Sequence, residues 1–212
     1  MDLVRAGMVV GLGTGATASA AVRELGRRLA AGLLSDVAGI PTSNATRELA
    51  REIGVPLTDF ATHPWLDLTI DGADEVSPAG DLIKGLGGAL LHEKIVAVNS
   101  RRLVIVVDRT KLVRRLGETT HLPIEVVPFG WTTQLEFLRG LGAVPRLRTA
   151  PAEDAFVTDA GHYIIDARFP GGIPDARALA DLLARRAGIV ETGLFLGMAP
   201  EVIVGGDGAP DE

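Results

Sequence analysis

Cysteine is absent from the 212 residues. That excludes a disulfide framework, a thiolate metal site and a cysteine nucleophile, and it fits a reducing compartment. Lysine is almost absent. Of 21 basic residues, only Lys84, Lys94 and Lys111 are lysines, and all the others are arginines. Arginine is a rigid fork and lysine a compact point charge on a flexible stem, so a site needing the latter cannot accept the swap. Positive charge is also not in excess. With 27 acidic residues the net charge is −6, which argues against a nucleic-acid partner held by a basic face. Long apolar runs are missing: the first, Met8 to Leu12, is far short of the ~20 residues a spanning helix needs, and no signal peptide is evident. The reading is a soluble, cytoplasmic protein with no membrane partner.

What is present is globular composition, 47% hydrophobic and 23% charged, enough for one large or two small domains. The 26 glycines and 12 prolines follow no period, so they punctuate elements and do not signal disorder. A short apolar strand from Met8, a glycine turn and an alanine-rich helix to about Ala31 open the chain as a βα unit. Asp36 to Thr42 reads as a second strand, and Ser43 or Asn44 caps a helix to about Ile53. Pro56 to Thr58 is predicted as a short strand, and Trp65 to Ile70 as a buried one. Leu82 to Lys84 returns from a turn at Ser77 to Gly80. A helix is predicted from about Gly87 to Val98, then the most continuously apolar strand, Leu103 to Val107. Alternation of this kind predicts a doubly wound, Rossmann-like parallel sheet of the α/β class.

The pattern then changes. Strands at Leu122 to Val127 and Val144 to Arg148 bracket a helix from Trp131 to Leu141. A hairpin turns at Asp159 to Gly161, a helix runs from Asp175 to Arg186, and Gly188 to Phe195 reads as a last strand. The order β-α-β-β-α-β predicts a smaller ferredoxin-like α+β domain. The tail from Glu201 to Gly205 is expected to return to the first sheet. The predicted division is 1–120 with 195–212 for the Rossmann-like catalytic domain and 121–194 for the small one.

Four polar stretches could carry chemistry. Gly11 to Ala16 fits G-x-G-x-x-A, but the second strand ends at Ile40-Pro-Thr-Ser-Asn without the carboxylate a dinucleotide needs. Phosphate binding asks less: main-chain N–H groups at a helix N-terminus, helped by Thr14 and Thr17. Asp71-Gly-Ala-Asp74 lies at the carboxyl end of a buried strand, where ligands of open α/β sheets bind. Metal binding needs further ligands, and His63, His92, His121 and His162 form no spaced pair, so hydroxyl recognition and proton handling are the preferred reading. Lys84 precedes the turn Gly85-Leu-Gly-Gly88, and Glu93 follows inside the helix with Ala89 and Ala97 on its face, surroundings that tend to raise a carboxyl pKa toward that of a useful base. Lys111 lies just past a strand end. Each has a plainer reading: capped turns, a solvated helix face, an ordinary basic residue opening a helix.

Together the motifs Val9–Ala18, Asp71–Val76, Leu82–Ala97, Val107–Val113, Leu122–Val126 and Val190–Phe195 resemble the ribose-5-phosphate isomerase family, type A. The resemblance implies an aldose-ketose isomerase of the non-oxidative pentose phosphate pathway. It would interconvert D-ribose 5-phosphate and D-ribulose 5-phosphate through an enediolate, with no cofactor and no metal. It implies that Glu93 is the general base, that Asp71 and Asp74 hold sugar hydroxyls and help open the ring, and that Lys84 with the turn after it steadies the oxyanion. Thr14, Gly15, Ala16, Thr17, Gly72, Ala73, Gly85, Leu86, Gly87 and Lys111 match substrate-binding positions. The family is usually dimeric or tetrameric, so a homodimer or homotetramer is expected.

The sequence departs from the family at Ala16, usually serine, at Leu86, usually glycine, and at His92, more often arginine or threonine. The family's usual helix ahead of the first strand is represented here only by Asp2 to Ala6, a departure bearing on stability and phosphate affinity. Two other readings use the same scaffold. One is a non-catalytic sugar-phosphate sensor. The other is a different enzyme, an amino-sugar phosphate deaminase or a coenzyme A transferase.

Overall fold

The computed structural model describes residues 1–151 and 154–205. In chain order its elements are β1 (Val9–Leu12), α1 (Ala16–Ala30), β2 (Ala38–Pro41), α2 (Asn44–Glu52), β3 (Leu68–Asp71), β4 (Glu75–Val76), β5 (Leu82–Ile83), α3 (Leu90–Val98) and β6 (Leu103–Val107). A single 3₁₀ turn, Arg109–Lys111, follows. Then come β7 (Leu122–Val126), α4 (Thr132–Gly140), β8 (Val144–Leu147), β9 (Tyr163–Arg168), α5 (Ala176–Ala184), β10 (Ile189–Thr192), β11 (Leu194–Phe195) and β12 (Glu201–Val204). Among the described residues no helix is long and apolar enough to cross a membrane. The chain divides into two compact units. Of the described residues, one holds 1–72, 92–109 and 199–205; the other holds 73–91, 110–151 and 154–198.

The first unit is built on a five-stranded sheet in the order β12-β6-β3-β1-β2, with every pair parallel. Its inner strands are apolar on both faces, as parallel strands covered by helices must be. Val10, Leu12, Leu68, Ile70 and Val104 pack with Val22 and Leu25 of α1 and Ala50 of α2. Val96 of α3 packs with Val9, Ile40 and Leu66. The expected return of the tail is observed, with Glu201 to Val204 alongside Val104 to Val107. The expected strand at Pro56 to Thr58 reduces to one bridge, Leu57 to Gly39. Proline has no N–H to give to a ladder, although its carbonyl accepts from Gly39 N at 2.8 Å.

The second unit carries a four-stranded antiparallel sheet in the order β10-β7-β9-β8, the ferredoxin-like arrangement predicted. Its core joins Leu122, Ile124 and Val126 to Ile165, Leu138, Leu179 and Leu183. A small three-stranded sheet, β11-β5-β4, completes the unit. The single last strand predicted over Gly188 to Phe195 is instead two strands in different sheets, broken at Gly193. There the Lys84 carbonyl lies where a Cβ would stand, and Lys84 N–H bonds the Gly193 carbonyl at 3.0 Å. The helix expected from Gly87 starts at Leu90, because Gly88 has φ +87°, a left-handed conformation no helix interior accepts.

Candidate active site

Residues 13–15 connect β1 to α1, whose first two residues are Ala16 and Thr17, in the first unit. A Cβ on Gly13 would fall onto the Asp71 carboxylate. Glycine there lets Asp71, at the end of β3 and only 2% exposed, fold back on the loop. Its Oδ1 accepts from Thr14 N at 3.1 Å and Gly72 N at 2.8 Å. The Thr14 hydroxyl turns inward, donating to Ser43 Oγ at 2.8 Å, with Thr42 Oγ1 at 2.7 Å and Thr46 Oγ1 at 3.2 Å. Ser43 also caps α2, accepting from Thr46 N. The loop is thus tied to the start of α2 through four hydroxyls. Gly15, Ala16 and Thr17 are exposed, and α1 begins with no side-chain cap and no acidic residue in its first turn. An uncapped helix N-terminus presents donors and a partial positive charge, the arrangement an anion needs.

Glu93 lies in the first turn of α3 and is 5% exposed. Ala97, one turn on, is buried as well. His92 lines a cavity of about 530 Å³ with Arg47, Arg51, Phe60, Ile95 and Val96.

The second unit holds Ala73, Asp74, Lys84, Gly85, Leu86, Gly87 and Lys111. Asp74 N–H bonds the Ile83 carbonyl at 2.8 Å, and its Oδ2 accepts from Leu86 N at 3.0 Å. Asp74 therefore holds the turn that follows Lys84. Lys84 is 3% exposed, with its ammonium 5.6 Å from the centre of the Phe195 ring, within cation–π range. The turn closes on itself through Gly88 N to the Gly85 carbonyl at 2.9 Å. Leu86 enters these bonds through its main chain, which explains how the turn keeps its shape where the family usually has glycine. Lys111 is half-buried.

Three groups in the second unit were not singled out from the sequence. Arg148 donates to the Gly85 and Leu86 carbonyls at 3.1 and 2.9 Å and pairs with Asp166 through two nitrogens. Burial pushes the Asp166 carboxyl up, but hydrogen bonds from His121 and Arg148 outweigh it and hold the group below its usual range. Phe156 stands where a Cβ on Gly88 would be. Glu75, fully buried, accepts from Gly117 N, Thr119 N and Oγ1, and Thr120 N, tying β4 to the loop ahead of β7. Only the position of Glu75 beside Asp74 in the motif could have drawn attention to it. Among the described residues no three histidine, aspartate or glutamate side chains gather as a metal-holding group.

The sequence model of ribose 5-phosphate isomerase A (phosphoriboisomerase A) matches residues 38–208. This chain belongs to that family. It is 52% identical over 209 residues to the ribose-5-phosphate isomerase A of Deinococcus radiodurans, covering 99% of this chain and 90% of that protein. Its fold is similar to a D-ribose-5-phosphate isomerase solved in complex with phospho-erythronic acid: the TM-score is 0.93, identity 38%, and coverage 96% of this chain and 89% of that one. The ribose 5-phosphate isomerase A of Methanocaldococcus jannaschii matches with a TM-score of 0.90 and 38% identity, covering 97% and 90%. A Rossmann-like α/β sheet with a second antiparallel domain is therefore the family's fold and this chain's.

Proposed function

We infer that this chain is an aldose-ketose isomerase acting on D-ribose 5-phosphate and D-ribulose 5-phosphate, in line with the names its relatives carry. The observation that carries the reading is the burial of Asp71, Lys84 and Glu93, at 2, 3 and 5% exposure, at the three positions the family's motifs mark. Burying a charge is costly, and ionisable groups kept in such surroundings cluster at functional sites. On this reading Glu93 takes the proton from C2 of the open aldose and returns it to C1, through an enediolate whose charge lies on the C1 and C2 oxygens. Lys84 and the main-chain N–H groups after it stabilise that charge, which needs fixed donors placed in advance. Asp71 and Asp74 order the loops on which the sugar hydroxyls rest. The bare N-terminus of α1, with Thr17 and the N–H groups of 15–17, receives the phosphate, with Lys111 adding charge. The hydroxyl proton passes from the C2 oxygen to the C1 oxygen in the same conversion, so the atoms balance with no oxidant and no water consumed.

The test is Glu93→Gln, which removes the base and keeps the shape. The expected result is a folded protein with kcat lowered at least about a hundredfold, the low end of what a general base supplies. Turnover near normal would end the reading. A sensor would bind ribose 5-phosphate without converting it, and a transferase would trap an acyl group on Glu93; the isomerase names of the relatives favour neither. A cytoplasmic location and a homodimer or homotetramer complete the proposal, the latter checked by light scattering on the purified chain.

A further inference from the structure

Arg148 is one of many arginines in this chain, yet its surroundings are unlike those of a surface arginine. Its side chain is only 12% exposed. Its main chain is fixed on both sides, with N–H to the Ile164 carbonyl at 2.8 Å and C=O from Phe156 N at 2.9 Å. The guanidinium uses Nε and Nη2 on the two oxygens of Asp166, at 3.0 and 2.5 Å, and the same carboxylate meets His121 Nε2 at 3.1 Å. Its carbon lies 5.7 Å from the centre of the Phe156 ring. Held by a fork on one side and a ring on the other, Arg148 has one nitrogen left, Nη1. That nitrogen bonds the carbonyls of Gly85 and Leu86.

Those two carbonyls belong to the peptide units that follow Lys84. Among the described residues no peptide is cis, so in each unit the N–H points opposite to the C=O. Drawing the Gly85 carbonyl to Arg148 sends the Leu86 N–H the other way, where it meets Asp74 Oδ2 at 3.0 Å. Drawing the Leu86 carbonyl to Arg148 likewise turns the Gly87 N–H away from the arginine, at an exposed residue. The positive charge on the carbonyl side also polarises both units and makes their N–H groups stronger donors.

We propose that Arg148 is a positioning residue for the isomerisation, fixing the Lys84–Gly87 turn so that the Gly87 N–H joins Lys84 in holding the enediolate oxyanion. The proposal rests on the reading of this turn as the oxyanion-holding element. Lysine at position 148 would keep the charge but lose the fork to Asp166 and with it the aim of the donor.

The experiment compares Arg148→Lys, Arg148→Ala and Lys84→Ala in the full chain, with kcat, KM and thermal midpoint measured for each. Loss of the aim is expected to lower kcat about 10- to 100-fold in both Arg148 variants, with KM within about threefold, since misplacing a donor costs on that order. Guanidinium ion at millimolar concentration is expected to restore kcat in Arg148→Ala, which a merely destabilised protein would not show. If Arg148→Ala does not fold, Arg148→Lys decides by the same split between kcat and KM. A folded Arg148 variant with kcat within twofold of wild type, or one changed in KM alone, overturns the proposal while a crippled Lys84→Ala leaves the reading of the turn intact. Normal turnover in Lys84→Ala removes the reading and the proposal with it.

Discussion

Two glycine turns carry the chemistry assigned to this chain, and they are held in opposite ways. Residues 13–17 are anchored at their entrance by near neighbours in the first unit: Asp71 on the Thr14 N–H, and three hydroxyls of the 42–46 stretch on its side chain. Their far end is left exposed and uncapped. Residues 84–88 are buried at Lys84, Gly85 and Gly88 and gripped along their length by Asp74, Arg148 and Phe156. An open helix terminus suits a group that arrives already charged, such as phosphate, and that keeps its charge throughout. A gripped turn suits charge that appears only in the transition state, because donors there must not reorganise when it forms. The first turn should therefore govern binding and the second turnover.

The largest test of this contrast is kinetic. Lys84→Ala should lower kcat about 10²–10³-fold, the range for loss of one oxyanion donor. Thr17→Ala should raise KM about tenfold and leave kcat near wild type, as loss of an interaction equally present in ground and transition states does. A kcat effect at Thr17 as large as that at Lys84 would break the division between binding and turnover.

The next test uses the glycines. Gly15 has φ +100° and ψ 174° with nothing near its missing Cβ, whereas Gly88 has φ +87° and would place a Cβ 2.5 Å from the Phe156 ring. Gly15→Ala should cost about 1–3 kcal/mol, from backbone strain alone. Gly88→Ala should cost about 2–5 kcal/mol, since overpacking adds to the strain. Making Phe156→Leu as well should recover at least about 1 kcal/mol of that loss in a double-mutant cycle. Equal costs at the two glycines would show that the second turn is not gripped by its ring.

The smallest effect is in acid. The Asp166 carboxyl is held low, its burial being outweighed by bonds from His121 and Arg148. A depressed native pKa gives stability that is present above the unfolded value of about 3.9 and lost as pH falls through the native one. Wild type should therefore lose thermal midpoint between neutral pH and pH 3 more steeply than Asp166→Asn, which has no such carboxylate to protonate. Parallel curves would show that Asp166 does not hold Arg148 as a charged pair.

The contrast also explains what the sequence made legible. The β1 loop, the Ser43 cap and the β-α-β-β-α-β order of the second unit rest on periodicity and on residues close in the chain. So do the apolar surroundings of Glu93 and the return of Glu201 to Val204, whereas the burial of Lys84 came only with the structure. The inward turn of the Thr14 hydroxyl could not be read, because Thr42, Ser43 and Thr46 approach it only once β1 and β2 pair. Arg148 was hidden for the same reason. It is one arginine among many, and its partners lie on β9 and in the turn after β5, brought to it by the second unit's fold. The break at Gly193 depended on a contact with Lys84 that no local pattern announces, and the late start of α3 on the left-handed conformation of Gly88.

The central claim is that Glu93 moves one proton between C1 and C2. The direct measurement is incubation of ribulose 5-phosphate with the enzyme in deuterium oxide, followed by NMR of the C1 position. Wild type should wash solvent deuterium into C1 during turnover, and folded Glu93→Gln should do so at least about a hundredfold more slowly. Deuterium-free C1 in the wild-type reaction, or equal wash-in by the variant, would contradict the account.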